Sequence, residues 1–140
     1  MDQKVRAAIF RRVKSEPFAL ALGMELLELE QGYSAVEMPY NPTIMNNIYE
    51  RAHGGAVFGL IDEAFETVAQ TDGSIAVALN VNVTYVASPE NGARLRAEAR
   101  EVSHTKRTAG YDIRVTDQNG RTIATCQALA YRTGKAIPFL

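Results

Sequence analysis

Beyond Gly54 this sequence allows one long helix and then nothing but strands. Val57, Leu60, Ile61, Ala64, Phe65 and Val68 recur at helical spacing, and the residues after Ser74 alternate between apolar and polar. A stripe that wide belongs to a well-buried helix, expected over 54–70. Four strand-like segments follow, roughly 75–86, 93–103, 106–117 and 122–132. They are divided by Pro89-Glu90-Asn91-Gly92, by His104 and by Gln118-Asn119-Gly120. These connections are too short for parallel crossovers, so the strands run antiparallel. One helix with one antiparallel sheet implies an α+β domain, a curved sheet wrapped around a central helix.

Upstream, Val5, Ala8, Ile9, Arg12 and Val13 predict an amphipathic helix over 2–14 that stops near Ser15-Glu16-Pro17. Phe18 to Leu22 add a further turn, so 1–22 forms an N-terminal helical segment. From Met24 the pattern changes to strands: Leu27 and Leu29, a Gln31-Gly32 turn, then Tyr33 to Met38 read as a hairpin. Residues 40–52 read as a loop. With 140 residues, 46% of them hydrophobic, the chain suits a single domain, 1–140, with a full core.

Charge and cysteine usage narrow the partners. Fifteen Lys+Arg against 16 Asp+Glu leave a net charge of −1, which offers neither a nucleic-acid groove nor a membrane-surface patch. Cys126 is the only cysteine, which excludes an internal disulfide framework and any multi-cysteine metal site, and reads as a buried, inert thiol. Neither a metal nor a cofactor is expected. Lys4, Arg6, Arg11, Arg12 and Lys14 interrupt the apolar positions of the N-terminus, so no signal-peptide core is present there, and no later run reaches membrane-span length. A cytoplasmic protein with a small-molecule partner is the simplest expectation.

The chemistry concentrates at the helix entrance. His53-Gly54-Gly55 opens the helix with residues that let a ligand approach the backbone, where unpaired N–H groups attract a phosphate or an oxyanion. Asp62 tilts the choice toward catalysis. Alone it reads as a solvated helix carboxylate, but on a helical wheel it lies at the edge of the apolar stripe beside Phe58, Phe65 and Ala69, with Glu66 one turn on. Desolvation and a like charge both raise a carboxyl pKa toward that of a useful base. Glu63 and Glu66 compete for this role, Glu63 facing further from the aromatic side and Glu66 lying nearer the exposed arc. Asn47 sits in the preceding loop, where asparagine is ordinarily a turn former.

Asn80, Asn82 and Thr84 share one strand face, which reads either as a wet sheet surface or as a polar side with Asn80 toward the reaction site. Arg94, Arg96 and Arg100 on one strand, with His104, Lys106 and Arg107 at the next turn, read as charged surface or as phosphate ligands at a cleft mouth.

Gly54 and Asp62 are too far apart to serve one carbonyl: eight residues at ~1.5 Å each separate them by about 12 Å along the axis. A donor and a water-activating base must together span only about 6 to 8 Å. Two antiparallel copies of the helix resolve the conflict, each site taking Asn47, His53 and Gly54 from one subunit and Asp62 from the other. Gly55 and Gly59, four apart, are the expected surface for that close approach.

Asn47, the His53-Gly54-Gly55 entrance, Asp62 within Leu60-Ile61-Asp62-Glu63-Ala64-Phe65, and the strand-rich second half resemble the hotdog-fold acyl-CoA thioesterases of the phenylacetate-degradation type. The resemblance spans about 23–132. It implies a long helix wrapped by an antiparallel sheet, homodimers joined sheet edge to sheet edge, and dimers pairing into tetramers. It also implies hydrolysis of acyl-CoA, with Asp62 activating water or attacking the thioester and the Gly54 amide holding the thioester oxygen. Asn47 and His53 would support them, with Gly55, Asn80, Phe58, Phe65, Lys106 and Arg107 around the substrate. The Asn46-Asn47 pair offers the asparagine twice, and Asn80 stands where serine or threonine is common. Tyr40, Ile44, Met45 and Ile48 join Phe58 and Phe65 as acyl-pocket candidates. The alternatives are a hotdog hydratase or dehydratase, or an acyl-CoA-sensing module without catalysis.

Overall fold

Asp2 starts the first helix by accepting hydrogen bonds from the amides of Lys4 (2.6 Å) and Val5 (3.2 Å), the local signature of a helix N-terminus. The computed structural model covers residues 1–140, and this helix, α1, spans Gln3–Val13. Helix α2, Pro17–Leu22, begins with proline and ends at Gly23, whose φ of 67° closes the turn in the left-handed region. The expected hairpin follows as β1 (Glu25–Glu30) and β2 (Tyr33–Pro39), turned at Gly32. The expected loop over 40–52 holds a one-turn helix, α3 (Pro42–Met45), capped by the Asn41 side chain, and an Asn46–Ala52 bridge.

Helix α4 (Gly54–Ala69) is the long helix the apolar spacing predicts. Strands β3 (Ser74–Tyr85), β4 (Arg94–His104), β5 (Thr108–Thr116) and β6 (Thr122–Ala136) follow, the last four residues longer than its pattern suggests. All pairings are antiparallel, in the order β1-β2-β4-β5-β6-β3. Neighbours in sequence are thus not always neighbours in the sheet. The segment 86–93 carries the chain across the ends of β6 and β5, anchored where the amides of Val86 and Ala87 donate to the Ile123 carbonyl. That crossing leaves β3 as a 12-residue edge, with a bulge between Ala78 and Asn80.

The sheet curves around α4. Its inner face alternates apolar side chains: Leu95, Ala97 and Ala99 on β4, Tyr111, Ile113 and Val115 on β5, Cys126, Ala128 and Ala130 on β6. The many alanines leave room for Leu60, Ile61, Phe65 and Val68 of the helix. Cys126 is buried there, and burial pushes its thiol up to about 11, so it is the inert thiol expected. Two buried hydroxyls fasten the layers: Ser34 Oγ donates to the Ala64 carbonyl at 2.8 Å, and Thr67 Oγ1 lies 2.8 Å from the Glu63 carbonyl and 3.0 Å from Ser34 Oγ. The outer face is charged, with Arg96, Glu98, Arg100, Asp112 and Arg114 in register. No helix is long and apolar enough to cross a membrane.

Leu60 is fully buried beneath the sheet, whereas Ile48 is 88% exposed on the loop. Leu60→Ala is therefore expected to cost ~2 to 5 kcal/mol in urea denaturation, and Ile48→Ala less than about 0.5 kcal/mol.

Candidate active site

The entrance of α4 is organised by its own histidine. His53 is the N-cap residue, and its Nδ1 accepts the Gly55 amide at 2.9 Å. In the neutral ring this leaves the proton on Nε2, facing outward from an exposed side chain. With Gly55 satisfied in this way, the Gly54 amide has no partner within the chain and stands at the positive end of a 16-residue helix. Gly55 thus serves the cap rather than offering a second free donor.

Gly54 is glycine for a visible reason. A Cβ there would lie 3.2 Å from the Tyr85 ring, whose hydroxyl donates to the Gly54 carbonyl at 3.0 Å. Tyr85 closes β3 and fixes the helix entrance against the sheet. Sequence reasoning passed over it as one more alternating strand residue, although the glycine opposite was the available signal.

Asn47 turns out to be a loop organiser as well as a candidate. Its Oδ1 accepts the amides of Tyr49 (2.8 Å) and Arg51 (3.2 Å), which leaves its Nδ2 as the free donor. The preceding residue is committed elsewhere: Asn46 Oδ1 accepts the hydroxyl of the buried Tyr40. The loop returns to the helix through the His53 amide, which donates to the Met45 carbonyl at 2.7 Å. Tyr40 and Met45 belong to the core, while Ile44 and Ile48 are exposed.

Asp62 lies two turns into α4 on the rim of a groove of about 370 Å³ between the helix and the start of β3. Phe65, Ala69, Ile75, Ala76 and Ala78 line the groove, and Phe65 also meets the Tyr111 ring at 5.4 Å between centroids. Asp62 keeps its access to solvent, yet the surrounding burial raises its carboxyl above the ordinary aspartate range. Glu66 is raised too, first by burial and then by Glu16 and Asp62.

Other residues stand differently from what the helix alone suggests. Glu63, the competing carboxylate, is 2% exposed, and burial foremost, then its acidic neighbours, push its carboxyl up to about 8. A helical wheel sees only the residues of α4, whereas the start of α2 lies on this side, with its N-cap Glu16 beside Glu63. For the same reason Gly59 is no contact surface for a second helix, because a Cβ there would lie 3.0 Å from the Phe18 ring of α2. Phe58 is partly exposed and is not among the groove residues. Asn80 pairs with Leu129 on the outer face of the sheet, the wet-surface alternative, and does not line the groove beside Asp62. Lys106 and Arg107 occupy the β4–β5 turn, where Arg107 donates to the Tyr131 hydroxyl at 2.7 Å. That turn lies at the end of the sheet opposite Tyr85 and Gly54, so one chain does not bring these cations to its own helix entrance.

Comparison with known proteins gives the family and the fold. Residues 49–124 match the thioesterase superfamily, a stretch holding Tyr85 and all of α4. A putative esterase of Archaeoglobus fulgidus is 32% identical over 127 residues, covering 89% of this chain and 80% of that protein. The structure of the Escherichia coli PaaI protein from the phenylacetic acid degradation operon superimposes with a TM-score of 0.90 at 28% identity, covering 96% of each chain. A Streptococcus mutans protein bound to acetyl CoA gives a TM-score of 0.76 at 28% identity, covering 81% of this chain and 91% of that one. The chain belongs to the thioesterase superfamily. Within it, this is a hotdog enzyme of the phenylacetate-degradation type, a thioester hydrolase.

The free Gly54 amide can be removed with little else. His53 has φ −66° and ψ 132°, the conformation favoured before proline, and proline is well tolerated in the first turn of a helix. Gly54→Pro, with the exposed Tyr85 ring yielding a few tenths of an ångström, is expected to keep its circular dichroism spectrum and to lose about 10²- to 10³-fold in kcat for thioester hydrolysis.

Proposed function

We propose that two copies of this chain, joined through β3, hydrolyse acyl-CoA thioesters at two shared sites. The observation that carries this reading is the division of labour along α4, with an unpartnered amide at its start and a carboxylate of raised pKa two turns later. At ~1.5 Å per residue these lie about 12 Å apart, beyond the reach of one thioester.

The exposed edge supports the pairing. Strand β3 hydrogen-bonds only to β6, and Val77 (49% exposed) and Leu79 (57% exposed) add apolar surface to its unpaired backbone. A twofold axis across this edge sets two β3 strands antiparallel and reverses one sheet against the other. The helix entrance of one chain then approaches the Asp62 groove of its partner. The Lys106–Arg107 turn is carried toward the same region, where its charges suit the phosphates of coenzyme A. The relatives add the substrate class: the E. coli protein, 28% identical over 124 residues, is an acyl-coenzyme A thioesterase, and the S. mutans structure holds acetyl CoA.

In this site the thioester oxygen accepts a hydrogen bond from the Gly54 amide at the positive end of α4, which stabilises the oxyanion as the carbonyl carbon is attacked. His53, with its Nε2 proton outward, donates beside that oxygen, and the free Nδ2 of Asn47 orients the attacking group. Asp62 from the other chain takes the proton from water, or attacks the carbon itself to give an anhydride that water then opens. Either route ends in carboxylic acid and free coenzyme A thiol. Single-turnover hydrolysis in ¹⁸O-water separates them, since only direct attack places the label in Asp62. The apolar groove beside Phe65 and Ile75 accommodates the acyl group.

Two outcomes test the proposal. Asp62→Asn is expected to lower kcat by about 10²- to 10⁴-fold while coenzyme A binding persists. Because Asp62 acts ionised and burial raises its pKa, the wild-type kcat/KM profile rises with pH through a midpoint above that of an ordinary aspartate. Subunit mixing tests the shared site. In a heterodimer of Gly54→Pro and Asp62→Asn chains one site carries both lesions and the other carries neither, so equimolar reassortment restores about one quarter of wild-type activity. No restoration after verified exchange refutes a site built from two chains.

A further inference from the structure

Away from the Gly54 amide, and reaching the acyl groove through Glu66, which also lines it, α4 takes part in a second concentration of charge. Glu16, Glu63 and Glu66 each place one carboxylate oxygen within 4.8 Å of the other two. Three carboxylates gathered this closely need a cation or shared protons to offset their repulsion. No lysine, arginine or histidine nitrogen comes within 4.0 Å of any of them, and Arg12, which favours the Glu66 carboxylate, stays beyond that distance.

One observation beyond the cluster itself points to a ligand. Glu63 is 2% exposed, and its Oε1 is the one buried side-chain polar atom in the chain with no hydrogen-bond partner. An orphaned oxygen of this kind is costly unless something fills its coordination. Glu16, for its part, is the N-cap residue of α2 but makes no capping hydrogen bond with its side chain. It forgoes the local role open to it and joins the cluster on α4.

We propose that Glu16, Glu63 and Glu66 bind one hard divalent cation that ties α2 to α4. The ligand set is entirely oxygen, without the imidazole or thiolate that selects zinc or copper. Oxygens that all lie within 4.8 Å of one another can share a Ca²⁺ ion, whose ligands at about 2.3 to 2.6 Å stand up to about 5 Å apart. Mg²⁺ demands near-ideal octahedral geometry and gives up its water reluctantly, so it suits a cluster of protein carboxylates less well. The exposed Glu66 side leaves water to complete the shell. Such an ion satisfies Glu63 Oε1, offsets two of the three charges, and holds in place the helix whose Phe18 packs on Gly59.

The test uses the full chain stripped with chelator and needs no substrate. Calorimetric titration with Ca²⁺, Mn²⁺ and Mg²⁺ is expected to show one cation per chain, bound more tightly than about 1 mM and with Ca²⁺ ahead of Mg²⁺, and to raise Tm. Glu63→Gln and the exposed variant Glu66→Gln should each weaken binding at least tenfold and abolish the Tm response. Should Glu63→Gln fail to fold, Glu66→Gln and the Mn²⁺ electron paramagnetic resonance spectrum of the wild type still decide. A wild type indifferent to all three cations up to 10 mM overturns the site, as does binding that both variants retain. Higher Tm in chelated Glu63→Gln together with an indifferent wild type assigns a protonated carboxyl instead, and also overturns it.

Discussion

The burial of α4 in the concave face of the sheet determines nearly everything else. Leu60, Ile61, Ala64, Phe65 and Val68 are removed from water almost completely, and the alanines facing them set how closely the sheet can curve. That packing fixes where the helix begins. The carbonyl of its first residue therefore accepts the Tyr85 hydroxyl at the end of β3, and its middle turn borders the groove at the beginning of β3. The candidate site residues are positioned by the same contacts that make the core.

How much of this could be read from residues alone depended on range. The period of the apolar residues located α4 to within a residue, and turn residues placed five of the six strands closely, because both signals are local. Strand order was not local. Nothing between Ser74 and Tyr85 announces that β3 pairs with β6 rather than with β4, since that choice rests on contacts some fifty residues away. The role of α2 was equally hidden: its Phe18 covers Gly59 and its N-cap Glu16 stands beside Glu63, neither of which a wheel drawn for α4 alone can show. Within the site, His53, Gly54 and Asp62 stood out through glycine and charge on an apolar background. Tyr85 did not, because its importance lies in the glycine it touches.

Several residues hold two positions at once. His53 spends one ring nitrogen on the helix cap, which settles the tautomer it can present. Asn47 spends its carbonyl oxygen on the loop, which settles that its amide nitrogen is the end left free. In both cases an internal hydrogen bond converts an ambidextrous side chain into a group with one defined polarity. The loop and the helix entrance are held in place by these internal hydrogen bonds.

The bulge between Ala78 and Asn80 in β3 has a consequence for assembly. A regular apolar edge of twelve residues would accept another strand in many registers and could recruit copy after copy. An extra residue in the middle interrupts the ladder and increases the local twist, so neighbouring alignments no longer match along the whole edge. For the proposed pairing through β3, the irregularity acts as a key cut into the strand that restricts the registers a second strand can take.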